Sequence, residues 1–219
     1  MNGYTAQAGD IFACYGADWL SRFISLQTVN PLSPRGLRLG PSHVAIAAQV
    51  TGEVDCHWVE STSLARRACF VRNEVVRGCQ VHPIGERVSD YVDAGGSVEV
   101  YRLHPINELV PGSAIELARD LRWFVRQGVG YDFASAIFSG THILRVTDAL
   151  LSFWRPAADS VFCSQLLAAE LQSLGLMNRQ QPQRYTPGRL VRELVAQGVY
   201  FRAGSLAVRK SNLCLSLES

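Results

Sequence analysis

The stretch HVAIAAQVTGEVDCHWVES, residues 43–61, decides the fold. Its halves, 43–50 and 54–61, are rich in residues that favour strands and flank Thr51-Gly52-Glu53, a pattern that predicts a β-hairpin and with it an antiparallel sheet. A two-residue turn at Thr51-Gly52 pairs Val50 with Glu53 and sets His43 directly opposite Glu60, with Cβ atoms about 5 Å apart on one face. A three-residue turn would shift the register by one and set Glu60 against Val44 instead.

Outward from the hairpin, IFACY (11–15) reads as a strand after the turn Gly9-Asp10. Residues 17–27 read as a helix with Trp19, Leu20, Phe23 and Ile24 on one face. The segment 29–42 holds three prolines and two glycines and is expected to be irregular. SVEVYRL (97–103) alternates as a strand should. Ser113 with Glu116 predicts a capping box for a helix over 114–127, and Gly128 is a suitable stop. Residues 133–153 are expected to hold one or two helices, and 161–174 another. Thr186 as N-cap with Pro187 after it starts a helix that Gly198 ends, and 199–203 returns to the sheet. Strands first, with helices around them, predict an α+β fold: an antiparallel sheet packed against helices, in a single domain over 1–219.

Composition narrows the function. A chain of 219 residues, 47% hydrophobic and 18% charged, is long and apolar enough to bury one substantial core. The formal charge of +2, with Lys210 the only lysine and no basic run, predicts no nucleic-acid partner. The N-terminus lacks the basic and apolar regions of a secretory signal. The longest apolar stretch, 131–154, is interrupted by Asp132, Arg145 and Asp148, so no transmembrane segment is expected. The expected location is therefore the cytoplasm, where Cys14, Cys56, Cys69, Cys79, Cys163 and Cys214 stay free thiols.

Cys163 stands out among the six. In DSVFCSQLLAAELQSLGL (159–176), with Ser160 as N-cap, it falls in the first helical turn, where unpaired N–H groups and the helix dipole stabilise an anion. A nucleophilic thiol needs a histidine, and the histidine needs a partner to orient it. The hairpin offers His43 with Glu60. His57 lies in the second hairpin strand, His82 and His104 each precede a proline, and His142 lies in a helical stretch. Cys56-His57, Cys69 and Cys79-x-x-His82 lack the paired short spacings of structural zinc modules, so no metal is expected.

Four stretches, AGDIFACYGADWLSRFISLQT, PSHVAIA, HWVEST and VFCSQLLAAEL, together resemble the circularly permuted, papain-like cysteine hydrolases of the NlpC superfamily. GVGYDF (128–133) is similar to the Gly-x-x-Tyr-Asp element that precedes the nucleophile there, and YTPGRL (185–190) to a helix start of that group. The likeness spans most of residues 8–190. The order His, Glu, Cys carries it, because unpermuted relatives place the cysteine first. The resemblance implies a permuted papain-like fold with the nucleophile at a helix N-terminus. It makes Cys163 the nucleophile, His43 the general base and Glu60 its orienting residue. It also places Asp10 near the site, as a structural or substrate-contacting carboxylate and as a rival to Glu60, and Tyr131 in the pocket. Backbone N–H groups at the helix start would hold the oxyanion, with Ser164 and Gln165 as adjacent donors.

No cofactor is implied. The expected substrate is an amide bond in a cell-wall peptide of peptidoglycan. A thioester, ester or lipid amide on the same triad is the alternative, and a non-catalytic binding module the third reading. A wall substrate with no secretory signal implies signal-independent export, such as delivery as an antibacterial toxin effector. The partner would then be an inhibitory or immunity protein.

Overall fold

A computed structural model describes residues 4–27, 29–34, 37–52, 54–130, 162–178, 180–182, 185–209 and 212–216. The expectations for Tyr131, Ser160, His142 and the helices of 133–153 lie outside these residues. Strands β1 (Ile11–Tyr15), β2 (His43–Ala48), β3 (His57–Thr62), β4 (Gly78–His82), β5 (Ser97–Leu103), β6 (Tyr200–Arg209) and β7 (Asn212–Ser216) form one sheet. Its order is β4-β3-β2-β1-β5-β6-β7, with every neighbouring pair antiparallel. The helices are α1 (Trp19–Gln27), α2 (Ile84–Asp93), α3 (Pro111–Gln127), α4 (Cys163–Ser173) and α5 (Pro187–Ala196). The fold class is α+β.

Strand periodicity divides the core in two. Ile11, Ala13, Val44, Ile46, Val59 and Val81 face Leu117 and Leu121 of α3, Leu166 and Leu167 of α4, and Leu190 and Leu194 of α5. Phe12, Cys14, Ala45, Ala47, Trp58 and Val100 face Ile84 and Val88 of α2. Phe12 and Trp58 stack with ring centroids 4.5 Å apart. Each such large side chain contributes roughly 1.5–3 kcal/mol on burial. Every residue of β2 is buried, because helices cover both faces of the sheet there. That is why HVAIAA reads as a continuous apolar run and not as an alternation.

The hairpin register differs from expectation. The ladder pairs Ile46 with Val59, Ala47 with Trp58 and Ala48 with His57, two positions away from the pairing that a tight turn would give. The chain leaves the ladder at Ala48 because Val50 is drawn into the core and the Gln49 amide donates to the Val54 carbonyl, so the connection runs over 49–56. A displacement of two preserves which face each side chain occupies.

Other boundaries also moved. α3 begins at Pro111 after Val110, not at a Ser113–Glu116 box, because proline at the first position starts the helix three residues earlier. Gly128 does end it in the left-handed conformation. α1 forms, but Trp19 is 78% exposed and Phe23 44%, so the expected apolar face is not the packed one. β4 and α2 had no counterpart in the sequence reading. Gln80, His82 and Arg87 are buried polar residues that break the apolar pattern in both elements.

Candidate active site

Three elements converge at one end of the sheet. His43 is the first residue of β2, directly across the ladder from Cys14 of β1. Glu60 lies on β3 on the same face as His43, now as a diagonal neighbour, within reach of a long side chain. The two meet: His43 Nε2 lies 2.7 Å from Glu60 Oε2. Cys163 is the first residue of α4, which packs against β2 and β3 from the opposite face. Because His43 begins its strand, it stands at the rim of the sheet, where a residue of the other layer can reach its ring.

Phe162 is the N-cap of α4, in extended conformation. Its carbonyl accepts from the Gln165 and Leu166 N–H groups, and its own N–H donates to Gln165 Oε1. The Ser164 hydroxyl donates to the Tyr185 carbonyl at 2.5 Å. The Ser164 hydroxyl is thus engaged in fastening the start of α4, as is the Gln165 carbonyl oxygen, an acceptor. The Cys163 and Ser164 N–H groups, at the first two positions of the helix, have no intrahelical partner by geometry.

Behind Glu60 stands a group that the sequence reading missed. Arg87 of α2 is buried, with Nη2 2.6 Å from Glu60 Oε1, a charge contact and not a well-aligned hydrogen bond. Its Nη1 donates to Asp90 Oδ2 at 3.0 Å. Asp90 accepts two further bonds from Arg67, whose Nη1 donates to Glu86 at the surface. Tyr91 of α2 lies over the His43 ring, with centroids 6.4 Å apart, and touches Trp58 as well. The signal for this layer was the spacing of Arg87 and Tyr91, four apart and so on one helix face.

Charge and burial oppose each other here. Burial, the largest influence on Glu60, pushes its carboxyl up, but Arg87 and the His43 hydrogen bond overcome it and hold the group well below the usual carboxylate range. Burial likewise disfavours the His43 imidazolium. The Cys163 sulfur, through charge and hydrogen bond, and then Glu60 reverse this and raise the imidazole well above its ordinary value. An ionised Glu60 can only accept, so His43 donates from Nε2.

Asp10 is not part of this cluster. It sits at the other end of β1, about 13 Å along the strand from Cys14. There its carboxylate accepts from Tyr4, from the Gln7 N–H and twice from Arg102. Of the other histidines, His57 leans on Phe70, His82 pairs with Gln80 and His104 leans on Phe201.

No protein-family model matches this sequence, and no curated protein matches it. Among solved structures, a similar chain is the metalloprotein yiiX from Escherichia coli O157:H7, DUF1105. The two are 16% identical, the match covers 80% of this chain and 69% of that chain, and the TM-score is 0.49. Nothing about chemistry follows from a likeness of that size. Among the described residues no group of three or more His, Cys, Asp or Glu side chains could hold a metal ion, and no helix is long and apolar enough to cross a membrane.

Proposed function

We propose that this chain is a cysteine hydrolase of the permuted papain-like type, acting through Cys163, His43 and Glu60. The observation that carries the reading is the 2.7 Å bond from His43 to a carboxylate with no exposed surface, beside a cysteine at the first residue of a helix. With Nε2–H given to Glu60, the other ring nitrogen, Nδ1, exchanges a proton with the thiol. The thiolate attacks the carbonyl carbon, and the carbonyl electrons move to oxygen, where the leading N–H groups of α4 stabilise the charge. His43 then gives its proton to the leaving amine, and the C–N bond breaks to leave a thioester. Water, deprotonated by His43, attacks that thioester and releases the acid and the thiol. Proton transfer of this kind contributes about 10²–10⁴ in rate.

The favoured substrate is an amide in a cell-wall peptide, with an immunity protein as inhibitor. A second reading, hydrolysis or transfer at a thioester or lipid amide, is favoured by exposed apolar side chains between β1 and β2. Trp19, Phe23, Leu26, Leu32 and Leu39 all expose much of their surface there, and that connection re-enters the sheet at His43. Wild type and Cys163→Ala should be compared on peptidoglycan fragments and on an acyl thioester, with products read by mass spectrometry. A product dependent on Cys163 from either substrate supports the hydrolase reading and chooses between the two substrate classes; no such product from either sinks it. Periplasmic expression should lyse a bacterial host. Toxicity confined to the cytoplasm would defeat the wall substrate.

A further inference from the structure

We propose that Arg87 is a positioning residue of this site: it keeps the Glu60 carboxylate charged and aimed at His43, so that α2 sets how firmly the His43 imidazole is held as a base beside Cys163. The inference rests on the cysteine-hydrolase reading. Its basis is geometry. Glu60 has no exposed surface, and a carboxylate so placed persists as an anion only when paired. His43 occupies one of its oxygens at 2.7 Å and Arg87 the other at 2.6 Å. Arg87 in turn is 4% exposed and leans on Asp90, and Asp90 on Arg67 and, through it, on Glu86 at the surface. His43, Glu60, Arg87, Asp90, Arg67 and Glu86 therefore form a line of alternating charge running from the imidazole to solvent.

The remaining polar groups about Glu60 cannot replace Arg87. Among the described residues they include Cys14 from β1, Tyr91 from α2, His82 and Gln80 from β4, the latter directly across the ladder, and Trp58 on its own strand. None carries a permanent positive charge. Without Arg87 the buried carboxyl would be expected to take up a proton at higher pH. A neutral Glu60 stabilises the imidazolium less, and His43 becomes a weaker acceptor for a proton.

The test reads the thiol and needs no substrate. The rate of Cys163 alkylation by iodoacetamide is followed from pH 4 to 10 by peptide mass spectrometry in wild type, Arg87→Met, Arg87→Lys, Glu60→Gln and the double variant. In wild type Cys163 should react ahead of the other five thiols. Arg87→Met should slow it about tenfold at pH 6 and move the acid limb up by about one pH unit, a tenfold change per unit. Arg87→Lys should return the limb toward wild type. In the Glu60→Gln background, Arg87→Met should change the rate by less than about twofold, because Arg87 acts through Glu60. This last pair replaces both buried charges, so it remains readable if Arg87→Met alone unfolds. An Arg87→Met profile that superimposes on wild type overturns the inference. So does an equal loss in the Glu60→Gln background. If wild-type Cys163 shows no preference over the other thiols, the hydrolase reading itself falls, and the role of Arg87 with it.

Discussion

Glu60 and Glu170 are both buried glutamates, and their neighbours send them in opposite directions. Glu60 lies between Arg87 and His43 and stays ionised. Glu170 on α4 has an Oε2 without a partner among the described residues. Burial first, then Asp120, raise its carboxyl to about 7 against a partial opposing pull from Arg119. Folded Glu170 thus keeps a proton that the unfolded chain loses above about pH 4.5, so stability falls as pH rises from there to about 7. Glu170→Gln should raise Tm at pH 8, where the penalty is on the order of 3 kcal/mol, and leave it unchanged at pH 4; an equal shift at both values would refute this. Glu60 has the reverse sign: its pairing stabilises the fold above about pH 4.5, the unfolded value, and the benefit is lost on acidification. The Tm deficit of Glu60→Gln should be largest at neutral pH and shrink toward pH 3. The His43–Glu60 contact and the place of Cys163 at a helix start were legible because each needs only a local pattern: one face of a hairpin and a helix start. Arg87 was not, since an arginine on an amphipathic helix reads as a solvent-facing charge until its ion pair is seen.

Among the elements, α5 and the β4 edge give the sharpest tests. Thr186 caps α5 by accepting from the Arg189 N–H at 3.1 Å, as the Thr-Pro pair predicted. Thr186→Ala should cost about 1 kcal/mol, read as a Tm drop of about 2–4 °C; no change would mean that the cap contributes nothing. Gly78 opens β4 at φ +108, and a Cβ there would run into the Val129 carbonyl. Cys79 donates to that same carbonyl, so Gly78→Ala should loosen the join between β4 and the chain leaving α3. Amide exchange at Cys79 should accelerate, and unchanged protection would contradict this close approach. β4 itself escaped the sequence reading for a physical reason. Gln80 is buried because its amide donates to the Leu64 and Val76 carbonyls, and an apolar pattern cannot register such a residue.

At the scale of the molecule, the sheet holds the members of the candidate site on separate layers and lets them meet at one rim. β2 lies inside the sheet, with α4 on one face and α2 on the other, so Cys163 comes from one layer and the layer behind Glu60 from the other. An antiparallel α+β architecture was legible from hairpin and strand patterns. The insertion of β1 between β2 and β5 was not, because non-local pairing leaves no mark in local periodicity. The tight-turn register was also wrong. It still led to His43 and Glu60, because an error of two residues keeps the face.

The central claim is that Cys163 is activated by His43. Its most direct measurement is site-resolved alkylation of the folded protein near neutral pH, comparing wild type with His43→Ala. The account predicts that Cys163 reacts well ahead of the other five thiols in wild type and loses that lead in His43→Ala. Uniform reactivity among the six, or a Cys163 lead that survives the loss of His43, would contradict it.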